Sequence, residues 1–104
     1  MVERYVFIKL KDAQSTPQGR REVVEHTREA LPAIPGVASV VVGEPADGAA
    51  VASWDVSIAV RFDSIEDIEP YRAHPEHRRY VDEFLKPRME VIKGWNFEIG
   101  AVSS

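Results

Sequence analysis

Tyr71-Arg72-Ala73-His74-Pro75-Glu76-His77-Arg78-Arg79-Tyr80-Val81-Asp82-Glu83-Phe84-Leu85-Lys86-Pro87 holds two of the chain's three histidines and two of its three tyrosines. Proline disfavours the α conformation in the residue before it, so His74-Pro75 predicts a break between two helices. Pro75 then suits the first position of the second helix, where a missing N–H costs nothing. At about 100° per residue, Tyr80, Val81, Phe84 and Leu85 share one face of that helix, with His77 near its middle. Arg78, Arg79, Asp82 and Glu83 lie beside or behind it, and Arg79 can pair with Glu83 one turn on. Pro87 ends the helix. An ionisable ring is thus expected where the core, or a cavity in it, should be.

Working back from this split helix, residues 54–62 form the clearest strand. Trp54, Val56, Ile58, Val60 and Phe62 share one face; Asp55, Ser57, Ala59 and Arg61 share the other. Ser64-Ile65-Glu66-Asp67 resembles a capping box and starts a short helix ending near Tyr71. After the split helix, residues 89–99 make a final strand with Val91, Trp95 and Phe97 on one side, and 101–104 is a tail. Trp54, Trp95 and Phe97 are expected in the core.

At the other end, residues 5–11 alternate. Val6, Ile8 and Leu10 point one way; Tyr5, Phe7, Lys9 and Lys11 point the other. Thr16-Pro17 suits a helix start, with Thr16 as N-cap. That helix runs to about Leu31 with Val23, Val24, Thr27 and Leu31 as its inner stripe. His26 flanks the stripe and reads as a surface residue. Pro32, Pro35 and Gly36 turn the chain into a second strand at residues 37–43. Residues 44–53 read as a mobile hairpin connection.

The order is βαββαβ in a single domain over residues 1–104. Such an order predicts an α+β, ferredoxin-like fold: a four-stranded antiparallel sheet with both helical regions on one face. Tyr5, Phe7 and Ala59 are then left on a sheet face that no helix covers. A second copy of the sheet, in a homodimer, is the economical cover.

Composition narrows the function classes. The chain has no cysteine, which removes disulfides and thiolate metal sites. It carries 13 Lys and Arg against 17 Asp and Glu, a net charge of −4, with no basic run. Nucleic acid and anionic membrane are therefore poor partners. No apolar run approaches a membrane span, and charge interrupts the N-terminal residues at once, so a cytoplasmic location is expected.

Lys9-Leu10-Lys11, Ile34-Pro35-Gly36-Val37, Asp55, Phe62-Asp63-Ser64 and the Tyr71-x-x-His74-Pro75-x-His77 signature together resemble the stress-responsive A/B barrel family, also called Dabb. The resemblance covers nearly the whole chain. It implies a dimeric α/β barrel, two ferredoxin-like units with their sheets facing. It also implies an unassigned activity, since many members have none known and some plant members are stress-induced. One plant member is a polyketide cyclase in which the second histidine of His-Pro-x-His is the base, assisted by a tyrosine. Those positions match His77 and Tyr71 here. That enzyme's further histidine, at the start of the first strand, is matched by Arg4, or by Tyr5 with a shift of one.

Two roles stay open for His77. A neutral imidazole against an apolar wall can act as general base, with Tyr71 donating to a developing oxyanion. The same ring, buried and bonded to a carbonyl or to Tyr71, can simply hold the helix junction. His74 is expected to fix the loop before Pro75. His74 and His77 at a spacing of three could offer two metal ligands, but Pro75 distorts the turn and no third ligand is fixed, so no metal and no cofactor are expected. Asp55 and Arg61 could line a barrel cavity or pair across a dimer. The cavity is expected between sheet and helices, bounded by Tyr5, Phe7, Tyr71, His74 and His77. Its occupant would be a small apolar or ketone-bearing molecule. No phosphate loop, nucleophile elbow or dinucleotide fingerprint is present.

Overall fold

The computed structural model describes residues 1–100; the tail at 101–104 lies outside the described residues. Four strands, β1 (Val2–Leu10), β2 (Ser39–Gly43), β3 (Val56–Phe62) and β4 (Met89–Glu98), form one sheet in the order β2-β3-β1-β4. All three pairings are antiparallel. Helix α1 (Pro17–Ala30) links β1 to β2. The second helical region lies between β3 and β4, so both crossovers return to one face. This is the expected ferredoxin-like arrangement.

Period-2 alternation sorts the strands onto two faces. Val2, Ile8, Leu10, Val42, Val56, Ile58, Val60 and Phe62 are buried beneath the helices. They meet Val23, Val24, Thr27 and Leu31 of α1, together with Ile68, Tyr71, Tyr80 and Leu85 of the second helical region. Each large side chain taken fully out of water contributes about 1.5–3 kcal/mol. Thr16 caps α1 by accepting from the Gly19 N–H at 2.9 Å. Thr27 and Tyr80 share a hydroxyl–hydroxyl bond of 2.5 Å that ties α1 to the far helix. Gly36, at φ 94°, makes the turn after α1, a conformation that a Cβ would strain.

The other face is open, and Trp95 and Phe97 lie on it. They were expected in the core, yet they are 51% and 55% exposed, and Val41 is 66% exposed. The registers explain this. Trp95 pairs with Tyr5 and Phe97 with Glu3, both on the outward side of β1. Trp54 also departs from its expected face. Asp55 and Val56 are both buried, so alternation breaks there, and Trp54 falls against Phe7 with ring centroids 5.8 Å apart. Residues 44–53 are not a plain hairpin connection. Asp47 accepts from the Ala50 N–H at 2.8 Å and caps a short helix, α2 (Gly48–Ser53).

The second helical region starts with a single 3-10 turn, Ile65–Asp67, capped by Ser64, and continues as α3 (Ile68–Ala73). The break falls at His74-Pro75 as expected. Helix α4 (Pro75–Arg79) then widens into a π turn, Tyr80–Leu85, closed by the Lys86 N–H donating to the Val81 carbonyl at 2.9 Å. The sequence had read as plain α-helix to Pro87. No helix among the described residues is long and apolar enough to cross a membrane.

Candidate functional site

A cavity of about 440 Å³ opens between the helix-facing side of the sheet and the split helix. Leu31, Ile58, Val60, Leu85 and Ile92 supply apolar wall; Arg4, Glu69, Tyr71, Arg72, His77 and Arg78 supply its polar groups. Such a mixture of apolar wall with few polar groups is what small-molecule sites share. The π turn contributes Tyr80, Val81 and Leu85, and π turns recur at functional sites.

Tyr71 and His77 are brought together on this cavity. Their ring centroids lie 4.5 Å apart at an interplanar angle of 57°. The sequence places them so: Tyr71 is near the end of α3, His77 is in α4, and the break at His74 turns one toward the other. Tyr71 is 3% exposed, and its ring packs edge-on to Phe62 at 5.0 Å. Its hydroxyl makes no hydrogen bond among the described residues, while no buried side-chain polar atom there lacks a partner. The hydroxyl is therefore in contact with the cavity space. Burial pushes its proton affinity up to about 12, outweighing the downward pull of Arg4 and Arg72, so it remains a donor.

His77 Nδ1 lies 3.1 Å from the Arg72 carbonyl. A carbonyl only accepts, so this contact puts the neutral ring's proton on Nδ1 and leaves Nε2 with the free lone pair. Burial lowers the ring's pKa. The Arg72 carbonyl opposes this, while the charges of Arg72, Arg4 and Arg78 add to it. The imidazole is held below the ordinary histidine value and is neutral at pH 7.

The remaining expected site residues lie elsewhere. Tyr5 and Phe7 stand on the opposite face of the sheet, against Phe97 and Trp95, because their strand positions alternate away from the helices. His74 does not line the cavity. Its Nδ1 accepts from the Glu76 N–H at 3.1 Å and caps α4, the junction role expected of it. Asp55 does not line this cavity either. It is 0% exposed and accepts from Leu10 N–H at 2.8 Å, Ser15 Oγ at 2.7 Å and Arg20 Nη1 at 3.2 Å, with Lys9 Nζ at 3.7 Å. Arg61 pairs with Glu3 of its own chain, 2.8 Å away across the β1–β3 register. Among the described residues no group of three or more His, Cys, Asp or Glu is placed to hold a metal ion.

Arg4 is the site residue that residue-by-residue reading left unassigned. It lies on the helix-facing side of β1, two residues from Val2 and two from Val6, and reaches the cavity wall. The signal was present as one charged residue in an otherwise apolar row. Gly94 on β4 gives its guanidinium room: a Cβ there would come within 2.9 Å of Arg4 Nη2.

The model of the stress responsive A/B barrel domain matches residues 2–98. Among solved structures, a protein of Arabidopsis thaliana superposes with a TM-score of 0.80 at 18% identity, covering 100% of both chains. A dimeric protein of unknown function with a ferredoxin-like fold from Bacteroides fragilis gives 0.75 at 24% identity, over 94% of this chain and 95% of that one. A Dabb family protein with a ferredoxin-like fold from Mesorhizobium loti gives 0.78 at 17%, over 96% and 97%. No curated protein matches the chain. At these identities the structural likeness speaks for the fold alone.

Proposed function

The chain belongs to the stress responsive A/B barrel domain family, and from that premise we propose that it is a homodimer that binds a small carbonyl-bearing molecule in the cavity and is equipped there for cofactor-free acid–base chemistry. The observation that carries this reading is one cavity shared by the Tyr71 hydroxyl, free of a protein partner, and a neutral His77 ring whose Nε2 lone pair is free.

In the proposed step, Nε2 of His77 takes a proton from the carbon next to the substrate carbonyl. The C–H electron pair becomes the enolate, and its oxygen accepts from the Tyr71 O–H. Return of the proton to carbon completes an exchange or an isomerisation. A panel of small ketones in heavy water, followed by NMR, tests this without knowledge of the natural substrate. Deuterium should enter the α-position faster with the protein than without it. His77→Ala should lose about 100-fold or more of that acceleration. Equal exchange by His77→Ala would remove the base assignment.

A second reading, binding without catalysis, is favoured by the His77–Arg72 bond, which spans the α3–α4 break. In that case His77→Ala should cost about 1–3 kcal/mol of stability, and no ketone should exchange.

The dimer is supported by the open face bearing Tyr5, Phe7, Val41, Trp95 and Phe97, and by the dimeric Bacteroides neighbour. A stable pair needs roughly 1,600 Å² of total buried surface. Sedimentation should give a dimer at micromolar concentration, and Trp95→Asp a monomer. A monomeric parent protein would overturn the proposal.

A further inference from the structure

We propose that the ligand of this cavity is an organic anion: a small apolar body with a carboxylate seated on the Arg4 guanidinium. The inference rests on the cavity being a binding site and adds the class of molecule that it takes.

Arg4 is a half-buried cation in a row of apolar side chains, the kind of group that is costly to desolvate unless a counter-charge meets it. Among the described residues its guanidinium makes one hydrogen bond, from Nη1 to the neutral Asn96 Oδ1 at 3.0 Å. Among the described residues no carboxylate lies within ion-pair distance; Glu69, on the same cavity, raises its proton affinity without reaching it. Other arginines that come in from the surface are differently served. Arg20 meets Asp55 at 3.2 Å, Arg61 meets Glu3 at 2.8 Å, and Arg88 meets Glu22 at 3.0 Å. Arg78, also on the cavity, is 3.6 Å from Asp82.

The neighbourhood adds to the positive potential that an anion would meet. Burial, and then the nearby Arg72 guanidinium, lower the proton affinity of Arg4. Three guanidiniums, of Arg4, Arg72 and Arg78, thus line a cavity that also holds the Glu69 carboxylate, a neutral imidazole and a protonated phenol. Gly94 is the complementary device. Glycine weakens a strand interior and marks a close approach, and here the approach is by the Arg4 guanidinium. An arginine with open N–H donors matches a planar carboxylate, and such charge-assisted bonds are roughly twice as strong as neutral ones. Leu31, Val60, Leu85 and Ile92 would cover the apolar body.

Phenylacetate, phenylacetamide and phenyl phosphate, titrated by calorimetry into the full-length protein, test the inference. Phenylacetate should bind about tenfold or more tighter than the isosteric amide, a difference of about 1.4 kcal/mol. Arg4→Met should erase that difference. Gly94→Ala should weaken carboxylate binding several-fold by pushing the guanidinium aside, and it checks the result if Arg4→Met folds poorly. Equal binding of acid and amide, or a preference that survives Arg4→Met, would overturn the anion inference while the cavity stood. Tighter binding of phenyl phosphate would overturn the carboxylate assignment. No binding of any of the three at millimolar concentration would overturn both this inference and the binding site beneath it.

Discussion

Asp55, fully buried just before β3, and Arg4, half-buried on β1, are both charged groups set against the core, and their surroundings are opposite. Asp55 is ringed by a backbone N–H, a hydroxyl, a guanidinium and an ammonium, all supplied by the chain itself. Arg4 has one neutral amide. A charge whose partners are complete ties elements together; here it holds the end of β1, the loop at Ser15 and α1 to the start of β3. A charge with partners missing adds little to folding and keeps its interaction free energy for something that arrives later. The two differ in burial, and they differ more in their inventory of partners.

The sharpest way to break this comparison is Asp55→Ala, which strands Arg20, Ser15 and the Leu10 N–H. We expect a loss of about 3–5 kcal/mol in denaturant titration; a loss below about 1 kcal/mol would mean that Asp55 is no anchor. The same group should contribute to the loss of stability in acid. Burial pushes the Asp55 carboxyl up, but the Leu10 N–H, the Ser15 hydroxyl, Arg20 and Lys9 together hold it below the usual range. A depressed folded value gives stability that is present above the unfolded value, about 3.9, and lost as the pH falls through the folded one. Acid titration of stability should show that loss in the parent and a flatter limb in Asp55→Ala.

Phe84 lies between these extremes. It is half-buried, with His26 stacked on it at 3.7 Å and the Arg88 guanidinium 4.2 Å from its centroid. Phe84→Ala should cost about 2 kcal/mol, less than a fully buried phenylalanine, because its ring packs on the edge of the core and is only partly buried. Arg4→Met should change stability by no more than about 1 kcal/mol, in either direction, since it removes a charge without stranding a partner carboxylate. The smallest effect is the most local. In an NMR titration the His77 ring should take its proton below the ordinary value of about 6.5, and Arg4→Met should move that midpoint upward by removing one of the charges that lower it.

The fold was legible because its signals are local and periodic. Alternation at residues 54–62, the Thr16 cap and the His74-Pro75 break each carry their own geometry. The approach of Tyr71 to His77 was legible for the same reason, since both lie within one turn of that break. Three features were not. The edge position of β4 depends on strand order, so Trp95 and Phe97 looked like core residues until the register put them outside. The two roles weighed for His77, cavity ring or carbonyl-bonded ring, are not exclusive: Nδ1 serves the Arg72 carbonyl and Nε2 is left over, and a sequence does not separate the nitrogens. Asp55 looked like a candidate for a cavity wall because its four partners are scattered over residues 9 to 20 and meet it only after folding.

The open aromatic face carries one more consequence. If a second copy covers it, unfolding also separates two molecules, and the midpoint of melting rises with protein concentration by mass action. Dilution then acts as a denaturant, and the same bare face that pairs correctly at high abundance becomes an adhesive one on a chain that has lost its mate. A cell that makes more of this protein would lengthen the life of every molecule already present.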